Sequence, residues 1–172
     1  MFSKPLTFVD IETTGLNPHK HEILEVAVVK RFPDGTVEEF QSKVCPKRIE
    51  LAESRALEIN HYRPEDWEGS PDFEEIAPIL AGLLEGSLPV AHNAAFDKSF
   101  LQPALIEYSI PYHWIDTVSV SHLAFPNMRR YSLAHLCSEL GISNEGAHTA
   151  LADARRCMEV YTRAVAILRK DV

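Results

Sequence analysis

The sequence predicts an α/β fold of three layers, in which a mixed five-stranded sheet carries helices on both faces. Two observations point there. The first part of the chain holds three apolar or alternating runs close together, the pattern of an antiparallel meander. The remainder alternates short apolar runs with segments of helical periodicity, the pattern of strand–helix–strand units with parallel pairing. Leu6–Thr13 reads as the first strand, Ile23–Arg31 as the second and residues 36–44 as the third, with Pro33, Asp34 and Gly35 forming the turn between the last two. An irregular stretch follows. Ser70 and Pro71 have the character of an N-cap and first helical position, and Phe73, Ile76, Leu80 and Leu83 recur at helical spacing up to a stop near Gly86. Residues 88–92 read as a short buried strand, and Phe96, Phe100 and Leu101 line one side of the helix after it. Residues 114–117 form the fifth strand. Ser132 caps a helix through Leu140 that Gly141 closes, and Leu151, Ala154, Met158, Tyr161, Val165 and Leu168 mark a long C-terminal helix.

With 172 residues and 45% apolar content, the chain can bury one sizeable core, and it has no internal repeat or low-complexity linker. A single domain over residues 1–172 is expected. No run approaches the roughly 20 apolar residues of a membrane span, and the N-terminus lacks a basic segment followed by a hydrophobic one. The expected location is therefore cytoplasmic, with no membrane partner. Cys45, Cys137 and Cys157 are widely spaced and form no CxxC pair, which fits reduced, packed thiols rather than a disulfide framework or a zinc site. A net charge of −8 argues against a protein that coats long nucleic acid, because Lys and Arg supply most non-specific affinity for phosphate. Any nucleic acid is gripped locally. Lys43, Lys47, Arg48, Arg129 and Arg130 offer modest supplements, although each reads first as an ordinary solvated charge.

The string FVDIETTGL places Asp10 and Glu12 two positions apart at the end of an apolar run, hence on one face of a strand. Two adjacent acids repel, and the usual remedy is a hard divalent cation bound through oxygen; the alternative is a solvent-facing strand edge. AHNAAFDKSFL adds Asp97, and AHTALADA adds His148 and Asp153. Asp97 would also serve as an early-helix acid complementing the macrodipole. Asp153 falls beside an apolar helical stripe, where it needs a metal or a partner such as Arg155 or Arg156. Five residues of helix turn through about 140°, so His148 and Asp153 cannot share a helical face. His148 must sit on a loop or first turn before the helix, and Asn144, Glu145 and Gly146 supply a mobile loop to carry it. Cys157, one turn after Asp153, is a poor ligand for a hard ion and reads as packing. Asp116, in WIDTVS, reads as a helix cap.

These three motifs, in this order between Phe8 and about Cys157, resemble the DEDD superfamily of 3′ to 5′ exonucleases, specifically its histidine-bearing branch. That branch includes the proofreading subunit of bacterial DNA polymerase III, exonuclease X, ribonuclease T and oligoribonuclease. The resemblance implies a ribonuclease H-like fold and a 3′-end exonuclease that releases nucleoside monophosphates with two divalent ions, Mg²⁺ or Mn²⁺. It implies that Asp10 bridges both ions, that Glu12 and Asp153 hold the ion nearer the nucleophile, and that Asp97 acts mainly through water. His148 is then the general base, since a neutral imidazole titrates near working pH.

The resemblance also marks Thr13, Thr14, Gly15 and Leu16 as the loop that meets the terminal nucleotide, with Leu16 as an apolar wedge or simply core. His92 and Asn93 would touch the scissile strand or orient Asp97, or be satisfied polar groups at a strand end. Phe96 would stack on a base or pack on Phe100. The main departure lies in EINHYRPED, where Asn60 stands at the position of a family histidine and leaves strand grip open. The expected partner is single-stranded nucleic acid or the 3′ end of a duplex, with DNA first and RNA second, the difference resting on recognition of a 2′-hydroxyl. The readings from other classes are a silent module that binds strand ends and a metal-dependent phosphatase. The end at Val172, soon after the last helix, favours a free-standing enzyme, monomeric or homodimeric, with any polymerase or repair partner unspecified.

Overall fold

Alternation along the first strand decides which residues meet which layer. In the computed structural model, which describes residues 3–145 and 149–170, Leu6–Thr13 (β1) sends Leu6 and Phe8 to one side and Val9 and Ile11 to the other. Asp10 and Glu12 continue the Leu6 and Phe8 side. Ile23–Arg31 (β2) pairs antiparallel with β1 and with Val37–Lys43 (β3), while Leu88–Ala91 (β4) pairs parallel with β1 and with Ile115–Asp116 (β5). The resulting order, β3-β2-β1-β4-β5, is the mixed five-stranded sheet expected from the sequence.

The helices are Ser54–Ile59 (α1), Pro64–Trp67 (α2), Phe73–Leu84 (α3), Ala94–Ala104 (α4), Thr117–Ala124 (α5), Leu133–Leu140 (α6) and Ala150–Leu168 (α7). Residues of α3 and α4, among them Leu80, Leu84, Phe100 and Leu101, pack on Val9, Ile11, Val26 and Val28. Ala150, Ala154, Cys157 and Tyr161 of α7 cover Phe8, Ala27 and Val29 on the opposite face. Tyr161 meets Phe8 edge to face at 5.7 Å. With both faces covered, β2 is buried along nearly its whole length and reads in the sequence as a continuous apolar run. None of the described helices is long and apolar enough to cross a membrane.

Several boundaries differ from the sequence reading, each for a local reason. The third strand is one residue shorter at either end. α3 begins at Phe73 rather than Pro71, because the Glu75 carboxylate accepts the Asp72 amide at 2.8 Å and makes Asp72 the N-cap. β4 stops at Ala91, since Asn93 adopts a left-handed conformation (φ 65°) that turns the chain into α4. The last strand is two residues long, because the Asp116 carboxylate accepts the Val118 amide at 2.9 Å and starts α5. The stretch read as irregular after β3 contains α1, α2 and a 3-10 turn at Ile49–Leu51. Cys137 and Cys157 are buried and Cys45 is partly buried, all as free thiols.

Candidate active site

The C-terminal half of β1 runs across the first turn of α7, and this crossing assembles the acids. One oxygen from each of Asp10, Glu12 and Asp153 lies within 4.8 Å of the others. Asp97, in the first turn of α4 and only 3% exposed, stands outside this trio, yet its charge acts on Asp10. Burial pushes the Asp10 carboxyl well above the usual range, and the neighbouring Asp97 and Glu12 push it further while Arg156 opposes them. Burial, then Glu25, lifts Glu12 to about 7. Burial likewise raises Asp97 to about 8, against hydrogen bonds from its own backbone and that of Ile11. An all-oxygen donor set whose members resist ionising together fits a hard divalent cation, which would remove both the repulsion and the desolvation cost. His148 lies outside the described residues; α7 itself begins at Ala150.

Sequence reasoning missed Glu25. It sits directly across the ladder from Glu12, is 6% exposed and accepts the Gln41 side-chain amide at 2.6 Å. The visible signal was a single acid inside the apolar run ILEVAVV, which alternation places beside Glu12 once the strands are in register.

Beyond Glu12 the β1–β2 ladder slips, with Glu12 opposite Glu25 but Thr13 opposite Ile23, so Leu24 is an extra residue. Its carbonyl accepts Trp67 Nε1 at 2.9 Å and the Val44 amide at 2.8 Å, which fixes the bulge. The loop that follows is tied down by its own threonines. Thr13 Oγ1 donates to the Gly15 carbonyl at 2.8 Å, and Thr14 Oγ1 accepts the Glu22 amide at 2.9 Å. From outside the loop, the Glu53 amide reaches the Thr14 carbonyl and Asn60 Nδ2 reaches the Thr13 carbonyl, both at 2.8 Å. The odd residue of the EINHYRPED string is therefore a brace on this loop.

Leu16 emerges 73% exposed and, with Gly15, Phe96, Ile59 and Asn60, lines a cavity of about 530 Å³ that opens beside Glu12. Thr13 belongs to the same wall, whereas Thr14 is buried and acts within the loop. Phe96 both lines the cavity and packs on Phe100 at 5.2 Å. His92 turns inward: its ring nitrogens lie 2.8 Å from Thr117 Oγ1 and 2.8 Å from the Tyr131 carbonyl, joining the end of β4 to the segment before α6. The Asn93 amide donates to Asp116 at 3.1 Å, and its side chain is on the surface.

Gly15 is required by close approach. A Cβ there would lie 2.3 Å from Nδ1 of His21, whose buried ring would have to give up the bond it accepts from the Asn17 amide at 3.0 Å in order to move aside. Gly15→Ala is expected to cost about 1–3 kcal/mol of stability by overpacking. Melting curves of the parent and the variant check the effect.

The family model described as exonuclease matches residues 7–161. The PolC-type DNA polymerase III of Thermotoga petrophila is 37% identical over 171 residues, covering 95% of this chain. This chain spans only 12% of that relative's length. The DNA polymerase III subunit epsilon of Treponema pallidum is 32% identical over 165 residues, covering 93% of this chain and 76% of its own. Among solved structures, a zinc-bound complex of E. coli ExoI with single-stranded DNA superposes with a TM-score of 0.84 at 18% identity, covering 98% of this chain and 42% of the other. At that identity the likeness speaks to the fold, which is ribonuclease H-like.

Proposed function

This chain belongs to the exonuclease family, and from that premise we propose that it shortens DNA from the 3′ end, releasing nucleoside monophosphates with the help of two divalent ions, Mg²⁺ or Mn²⁺. The observation that carries the reading is the convergence of Asp10, Glu12 and Asp153 beside a cavity walled by Leu16 and Phe96. An acid cluster meets the reacting phosphate, and an apolar wall meets the last bases.

Asp10, Glu12, Asp97 and Asp153 would hold the ions, with Asp97 acting through water because it stands back from the trio. Bound ions would supply charge neutralisation at the phosphate and lower the pKa of the attacking water. His148 would be the general base, accepting a proton from the attacking water at a ring nitrogen. Leu16 and Phe96 hold the terminal bases by apolar contact and stacking, and the braces from Asn60, Glu53 and His21 keep the Leu16 loop at one height. Two relatives carry DNA polymerase III in their names, which favours DNA as substrate and a replicative polymerase as partner. The complex of ExoI with single-stranded DNA favours a single strand.

The test uses 5′-labelled single-stranded DNA and RNA of matched sequence with Mn²⁺ and an EDTA control. The expected result is a metal-dependent ladder shortening from the 3′ end of DNA. Preferential trimming of RNA would move the assignment to an exoribonuclease. Degradation of neither would leave a strand-end binding module, or a phosphatase if a small phosphomonoester turns over.

A further inference from the structure

Arg156 follows Asp153 by three residues on α7 and so shares its face. The two form an ion pair through Arg156 Nη2 and Asp153 Oδ1. Arg156 is only 5% exposed, and its Nε and Nη1 are buried without a hydrogen-bond partner. Such an arrangement is costly, because a buried guanidinium loses its hydration and here recovers only part of it. The neighbouring Arg155 shows the ordinary alternative, reaching out to Glu39 with two hydrogen bonds of 2.8 and 2.5 Å at the surface. A cation buried against the acid cluster, with donors left over, calls for a role that surface pairing does not supply.

We propose that Arg156 is a positioning residue of the metal centre: it fixes the Asp153 carboxylate in the orientation in which that group meets Asp10 and Glu12. The inference rests on the metal-centre reading above. Asp153 stands in the first turn of a helix, with rotamers that lead elsewhere, whereas Asp10 and Glu12 are set by a central strand. One bond to a buried, rigid guanidinium selects among those rotamers. Positioning and simple Coulomb repulsion predict opposite signs. If Arg156 were only a nearby positive charge, removing it would tighten cation binding; if it orients Asp153, removing it weakens binding.

The experiment is calorimetric titration of Mn²⁺ alone into the parent, Arg156→Met and Arg156→Lys, at pH 8.5 where proton competition is weakest. Near-UV circular dichroism confirms that each variant is folded. Arg156→Met is expected to bind Mn²⁺ about tenfold or more weakly, in the range found when residues that orient metal ligands are removed, and Arg156→Lys about threefold more weakly. In assays, the Mn²⁺ concentration for half-maximal rate should rise while KM for DNA at saturating Mn²⁺ stays unchanged. A folded Arg156→Met that binds Mn²⁺ as tightly as the parent, or more tightly, overturns the proposal. Should Arg156→Met not fold, Arg156→Lys decides alone, and parent-like affinity in it overturns the proposal. A parent that binds no Mn²⁺ overturns the metal-centre reading itself, and this inference with it.

Discussion

Asp10→Asn is expected to lower nuclease turnover by about 10³-fold or more, because it removes the acid shared by the proposed ions. The same change should make the metal-free protein more heat-stable at pH 8. Asp10 is crowded by Asp97 and Glu12 in a desolvated site, so a neutral isostere relieves repulsion that the folded state otherwise carries. Loss of activity with gain of stability is the behaviour of a site strained for function. The parent, in metal at about 100 times Kd, should gain about 2.7 kcal/mol. That corresponds to about 5–10 °C in melting temperature for a domain of this size. Asp10→Asn should lose most of this shift, whereas His148→Ala should lose turnover and keep it. Equal loss of the shift in both variants would remove His148 from the role of base and make it a ligand.

The second large effect is an inverted pH dependence of stability in EDTA. A carboxyl held at about 7 for Glu12 or about 8 for Asp97 in the folded protein titrates in the unfolded chain at its ordinary 4.5 or 3.8. Between these values the unfolded chain has released protons that the folded protein retains, so stability falls as pH rises and levels off once the folded groups ionise. The stabilising contribution is complete below the unfolded values and lost through pH 7 to 8. His92, whose ring burial lowers its pKa, acts in the opposite direction, alone against three raised carboxyls. The lowered carboxyls, Asp34 with its hydrogen bonds to Thr36, Glu39 with Arg155, and Glu74 with its own backbone amide and Lys47, finish titrating below this window. Melting temperature in EDTA is expected to drop by about 5–10 °C between pH 5.5 and 8.5, and saturating Mg²⁺ should abolish the drop. A flat or rising profile in EDTA would show that the acids do not carry the proposed burden.

What was legible in the sequence divides along physical lines. β1 and β2 were readable to the residue because buried strands are written as apolar runs with sharp turn residues around them. Asp10, Glu12 and Asp153 were readable as a group only through the resemblance of their strings, taken in order, to exonuclease motifs, since residue types alone left each with an ordinary alternative. The start of α3 was not, because Ser70 and Pro71 offered a plausible cap and only the reach of Glu75 back to the Asp72 amide decided between the two. α1 and α2 were invisible: they are four to six residues long, with little apolar periodicity, and hold their place through contacts to distant segments such as Asn60 to Thr13 and Trp67 to Leu24. Glu25 belongs to the same class, as does the burial of Arg156, although the spacing of Arg156 from Asp153 already offered their pairing. Their importance comes from strand register and burial, and a one-dimensional string displays neither.

The two rims of the sheet bear on how such a domain can be carried within larger proteins. β3 is largely exposed and has Glu38, Glu39 and Lys43 among its seven residues, and β5 is only two residues long. Neither rim offers the long, flat, apolar ladder of unpaired amides and carbonyls that recruits a foreign strand. A sheet with rims of this kind is poorly suited to pairing with a foreign strand, whatever the length of the chain that carries it. Any assembly it enters would then be built through helix faces and loops, leaving the strand that bears Asp10 and Glu12 undisturbed at the centre.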